Sequence, residues 1–144
     1  MKRSLLLLLA LVVFTACKEK TEKTESDATN EPTQMEEIVA VHDELMPKMS
    51  EISLLITQLE ERMDSTQADS IRQVVVMDLK SANEAMMTWM MDFSNDYDSE
   101  EVMEGKELTP EKEALLDTYT SSVMELKDKM EGAMERAQAL LNQK

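Results

Sequence analysis

The sequence predicts an all-α domain: an antiparallel, up-down-up bundle of three helices with coiled-coil-like heptad packing. Three observations carry that prediction. Only two glycines and three prolines occur in 144 residues, and Glu, Leu, Met, Ala and Lys dominate after residue 34, a composition that favours helix. Apolar side chains recur in alternating steps of four and three, which keeps them on one helical face. No stretch alternates apolar and polar residues over a useful length, so strands have no support.

The chain before the domain reads differently. Lys2 and Arg3 form a positive n-region, SLLLLLALVVF (4–14) is an apolar core, and FTAC (14–17) ends on the only cysteine. The apolar run is too short to cross a bilayer, which takes about 20 residues. Small Thr15 and Ala16 directly before a lone cysteine resemble a bacterial lipobox, with Phe14 where leucine is usual. That resemblance implies that residues 1–16 are a cleaved signal and that Cys17 is lipidated. Acyl chains then bind the membrane, each buried methylene contributing about 0.8 kcal/mol. Lys18, not an aspartate, follows the cysteine, which points to the outer membrane of a bacterial envelope. Residues 18–34, KEKTEKTESDATNEPTQ, hold one apolar side chain, Ala28. Nothing there offsets the entropy of ordering, so 17–34 is predicted to be a lipidated, flexible tether.

Residues 35–144 form the predicted bundle, with helices over about 35–64, 67–94 and 110–142. In the first, Ile38, His42, Leu45, Met49, Ile52, Ile56, Leu59 and Met63 form the apolar stripe. Pro47 interrupts it, lacking an N–H and crowding the carbonyl of Asp43, so a kink or a break is expected there. Asp64, Ser65 and Thr66 are N-cap candidates for the second helix, whose stripe is Ile71, Val75, Leu79, Ala82, Met86, Trp89 and Phe93. NDYDSEEVMEGKEL (95–108) reads as an acidic connector. Thr109, Pro110 and Glu111 then supply a cap, a proline at the first helical position and an acid against the dipole. The third stripe is Leu116, Tyr119, Val123, Leu126, Met130, Ala133, Ala137 and Leu140. Short connections make neighbouring helices run antiparallel.

Charge and composition exclude several functions. There are 15 basic against 30 acidic residues, and loss of Lys2 and Arg3 takes the formal charge from −15 to −17. Such a chain is repelled by nucleic acid and by anionic headgroups, which leaves membrane attachment to the acyl chains. With Cys17 consumed, no thiol remains for disulfides, thiolate metal sites or nucleophilic attack. One histidine, no glycine-rich phosphate loop and no Ser–His–Asp set argue against an enzyme. Asp92, Ser94, Asp96 and Asp98 recur at the two-residue spacing of a calcium loop. Tyr97, however, stands at the glycine position and Met103 at the closing glutamate, so a solvated acidic loop is expected.

One stretch concentrates chemistry. EAMMTWMMDF (84–93) surrounds the only tryptophan with four of the 14 methionines. A turn centred near Gln67 sets residue 42 level with 92, 46 with 88 and 49 with 85, so HDELMPKM (42–49) faces it. His42, Met46 and Met49 share a face at i, i+4 and i+7, as do Met86 and Met90. Thioethers and imidazole suit Cu(I) or Ag(I), and an indole adds cation–π contact. The candidate metal set is therefore His42, Met46 and Met49 with Met86 or Met90, capped by Trp89. As a ligand set it is similar to that of the periplasmic copper and silver chaperones, which are small β-barrels with no likeness of fold. The alternatives are a methionine-packed core around Trp89, or a methionine-rich groove for an envelope partner or a second copy.

The same segments, HDELMPKM and AMMTWMMDF, resemble a group of small Bacteroidota lipoproteins, some carrying the automatic label "viral A-type inclusion protein". The resemblance spans most of residues 35–144. It implies a helical lipoprotein and no particular activity. The closing ALLNQK, with Lys144, resembles Braun-type lipoproteins, whose terminal lysine is linked to peptidoglycan; this implies cell-wall linkage as an alternative. The expectation that joins these readings is a lipid-anchored, non-catalytic binding or structural module of the bacterial envelope.

Overall fold

The computed structural model describes residues 31–63 and 67–143. The predicted signal 1–16, Cys17, the tether up to residue 30, the cap candidates Asp64, Ser65 and Thr66, and Lys144 lie outside the described residues. The domain is all-helical: α1 (Gln34–Glu60), α2 (Gln67–Asp96), α3 (Ser99–Met103) and α4 (Pro110–Leu141) pack together, and no strand occurs among the described residues.

The helix starts follow local chemistry. The Thr33 hydroxyl accepts from the Glu36 N–H, and the Glu36 carboxylate accepts from the Thr33 N–H in return. This capping box places Thr33 and Gln34 in the domain, although they were expected in the tether. Thr109 accepts from the Lys112 N–H with Pro110 at the head of α4, as its sequence predicts. The predicted acidic connector contains a further helix, α3. Asp98 accepts from the N–H groups of Glu100 and Glu101, and Glu101 answers the Asp98 N–H at 2.8 Å. Asp92, Ser94 and Asp96 lie within α2, so no calcium-type loop forms. Gly105, at φ 68°, then turns the chain in a left-handed conformation that a side chain would strain. α1 runs unbroken through Pro47, so of the two expected outcomes the break does not occur.

The core refines each stripe. In α1, Ile38, Leu45, Ile52 and Leu59, seven residues apart, are at most 1% exposed. The intervening His42, Met49, Ile56 and Met63 are half-buried and flank that seam. Met35 and Leu55 complete the buried set. In α4 every predicted residue is buried except half-buried Leu140, and Met134 joins them. In α2 the exceptions are half-buried Phe93 and Ile71, which is 57% exposed. The alternation of four and three, carried back from Val75, demands a step of three to Arg72, which is half-buried and paired to Asp69 at 3.2 Å.

Side chains that join the long helices show which levels meet. Gln34 bonds Asp117 at 2.8 Å and Lys127 bonds Glu44 at 2.6 Å, both 83 residues apart, and Lys48 bonds Glu131 at the same separation. Between α2 and α4 the numbers run oppositely, Trp89 meeting Ser122 and Asp78 meeting Arg136. Between α1 and α2, Lys80 bonds Glu60 and His42 stacks on Trp89. The expected level of residue 42 with 92 is thus off by about one turn. Gln67 is the first residue of α2 and not the centre of a turn.

Candidate ligand cleft

The aromatic residues of the domain gather with the histidine at one level. Trp89 and Phe93 lie four residues apart on one face of α2, and Tyr97, directly after its last residue, still bonds the Phe93 carbonyl through its N–H at 3.0 Å. Trp89 and Phe93 stack at 5.0 Å and 11°, and His42 stacks on Trp89 at 5.8 Å and 22°. Tyr119 from α4 meets Trp89, Phe93 and Tyr97 at 5.8, 5.1 and 5.6 Å, edge-on. Offset-stacked and edge-to-face rings are the favoured arrangements.

Each polar tip in this cluster has a partner. Trp89 Nε1–H donates to Ser122 Oγ at 2.9 Å, whose own proton goes to the Tyr119 carbonyl at 3.1 Å. Tyr97 donates to the Lys112 carbonyl at 2.8 Å, and Tyr119 donates to Asp96 Oδ2 at 2.5 Å. Burial first, then the Asp96 carboxylate, pushes the Tyr119 phenol well above its ordinary value. Burial, with Asp96 and Glu101, likewise raises Tyr97. Both phenols therefore stay protonated near neutral pH. Lys112 lies 5.7 Å from the Tyr97 ring centroid and bonds the buried Glu101 at 2.6 Å. That bond, followed by the Asp98 N–H, holds the Glu101 carboxyl below its ordinary value.

Packing of these flat rings leaves a gap. Val39, His42, Trp89, Met90 and Phe93 line a cleft of about 180 Å³ between α1 and α2. Larger hollows lie along α4 alone at Asp117, Thr118, Ser121, Ser122 and Glu125, between α1 and α4 at Ile38, Val41, Thr120, Val123 and Met124, and where Met35 and Leu116 meet Glu101 and Val102 of α3; none of these three is lined by the histidine or the tryptophan. His42 Nδ1 lies 3.0 Å from Asp43 Oδ1. A carboxylate only accepts, so Nδ1 carries the proton and Nε2 keeps its lone pair in the neutral ring.

The six candidate metal residues are divided. His42, Met90 and Trp89 line the cleft. Met86 is 0% exposed in the core, Met46 is 40% exposed, and half-buried Met49 is not among the cleft walls. With His42 level with Trp89, residues four and seven further along α1 lie roughly 6 and 10 Å away along the axis. Val39, Asp43 and Ser122 were not singled out from the sequence. Asp43 adjoins the only histidine, which was the one available sign. Among the described residues no group of three or more His, Cys, Asp or Glu is arranged to hold a metal ion. No helix there is long and apolar enough to cross a membrane. Compared with protein-family models, with curated proteins and with solved structures, the chain matches none.

Proposed function

We propose that this chain is a lipid-anchored, non-catalytic binding module of the bacterial outer envelope, in which an up-down-up three-helix bundle carries a ligand cleft. The observation that carries the binding reading is the cleft itself. It gathers two aromatic rings, an imidazole and a thioether around a solvent-facing hollow of about 180 Å³, the mix of apolar walls and few polar groups found in ligand sites, at a size that suits a fragment or an ion. The bundle topology is supported by residue numbers that rise together between α1 and α4 and run oppositely between α2 and each of them. Anchoring rests on FTAC followed by Lys18. A protein partner or a second copy would meet the side chains that α2 leaves exposed, Val74, Met77, Met87 and Met91.

Two experiments test the proposal. Cys17→Ser should abolish incorporation of labelled palmitate and shift the protein from the detergent to the aqueous phase. Unchanged partitioning overturns the anchor. For the cleft, neutral aromatic fragments are titrated onto the lipoprotein in phosphatidylcholine vesicles, read by emission of Trp89, the only tryptophan. Saturable shifts are expected that Val39→Phe, which fills the cleft, removes. Non-saturable changes, identical in the variant, sink it.

A further inference from the structure

We propose that the cleft takes a soft monovalent cation, Cu(I) or Ag(I), held between His42 Nε2 and the Met90 thioether against the face of Trp89. This deepens the binding reading above and rests on it. The donor set comes from two helices: His42 on α1 and Met90 on α2 line the same hollow. Asp43 fixes the imidazole through Nδ1–H at 3.0 Å, the carboxylate–histidine arrangement that orients a ligating ring and raises its basicity. Nε2 is left as the donor. The thioether needs no deprotonation and prefers soft ions.

The third contact follows from ring geometry. The imidazole lies within 22° of parallel to the indole, centroids 5.8 Å apart. An ion on Nε2 sits in the imidazole plane, which runs nearly parallel to the indole, and Trp89 walls the same cleft. Trp89 is therefore the aromatic wall available there for cation–π contact. The remaining walls, Val39 and Phe93, offer no oxygen. Calcium and magnesium, which need about six oxygen ligands, find none here, and zinc lacks its usual four donors. A d10 monovalent ion is satisfied by one nitrogen and one sulfur. A formal charge of −15 raises the concentration of cations around the chain. The wider set of ligands is set aside by burial and position: Met86 is sealed in the core, and Met46 and Met49 stand away from the cleft.

The test is a titration of Ag(I), in chloride-free buffer, onto the lipoprotein in phosphatidylcholine vesicles, with Trp89 emission and bound silver measured together. One ion per chain, with quenching of Trp89, is expected. His42→Ala should abolish the quenching. Met90→Leu, which keeps the packing volume, and Asp43→Asn, which keeps the fold but weakens the carboxylate, should each loosen binding by about tenfold or more. Met46→Leu and Met87→Leu should change nothing. Helical circular dichroism checks that every variant is folded. Silver bound without quenching, or bound equally by Met90→Leu and Asp43→Asn, overturns the proposal, because the ion then sits on surface methionines. If neutral aromatic fragments still saturate the cleft while silver does not bind, the cation fails and the binding module stands. If neither binds, both fail.

Discussion

The two ends of this bundle are packed by different chemistry. Toward the C-terminus of α1, the core is aliphatic and closed: Ile52, Leu59, Leu79 and Met130 are all 0% exposed. No side-chain polar group has to be satisfied among them. Toward its N-terminus, Trp89, Phe93, Tyr97 and Tyr119 fill the same layer, and their polar tips draw in Ser122, Lys112 and Asp96. Flexible aliphatic chains adapt to the space between helices, whereas flat rings tile it and leave a wedge open. The lesson is a division of labour along one seam. Burial at one end holds the fold, and the other end is partly polar and carries the cleft.

That contrast is most strongly tested by truncation in the closed half. Leu79→Ala removes a fully buried side chain and should cost about 2–5 kcal/mol, read by urea unfolding. Met86→Leu at the border of the two halves conserves volume and should cost less than about 1.5 kcal/mol.

In the aromatic half the expected effects are smaller and depend on pH. Tyr119→Phe loses the bond to Asp96 and should cost about 1.5 kcal/mol, the low end for a hydrogen bond to a charged acceptor. The sign of the alkaline effect follows from the raised phenol. An unfolded chain ionises this tyrosine near its ordinary value of 10.0, while the folded chain keeps it protonated. Its contribution is therefore intact below pH 10 and is lost as pH rises toward the folded value. Stability measured from pH 8 upward should fall less steeply in Tyr119→Phe than in the parent. An equal slope would show that the phenol is not held as described.

Glu101 supplies the acid counterpart. Its carboxyl is held below the ordinary 4.5 by Lys112 and the Asp98 N–H, so it supports the fold above that value and ceases to do so as pH falls through the lowered one. Amide protection factors in α3, corrected for the intrinsic pH dependence of exchange, should fall on acidification before those in α1 and α4, and Glu101→Gln should weaken this pH dependence. The smallest effect belongs to the surface of the closed half. Arg136 and Asp78 pair at 3.0 Å with 54% and 41% of their side chains exposed. Arg136→Ala should change stability by less than about 0.5 kcal/mol, and added salt should erase the difference.

Much of this domain was legible in its residues, because helix formation is decided locally. The four-three alternation marks the buried face of α4 almost residue for residue and the fully buried seam of α1 at every second position, and Thr109–Pro110–Glu111 marks the start of α4. Ile71 was misplaced by following hydrophobicity where the alternation itself led to Arg72. α3 was missed because five residues make too short a stretch for periodicity, although Asp98 and Glu101 form a capping box at the spacing that announces one.

By itself, then, the sequence determined the three long helices and most of their buried faces, since propensity, capping and periodicity act within a turn or two of the chain. Only the tertiary structure decided which of the methionines is wall, core or surface. Met86 stood on the predicted stripe and is 0% exposed, but Met90 and Met91, adjacent and both off that stripe, are half-buried and 58% exposed. Their fates depend on the level at which α1 meets α2, and a shift of one turn there brings His42 to Trp89 and Met90 and carries it away from residue 92. That level is set by the packing of all the long helices at once, which no single stretch of sequence contains.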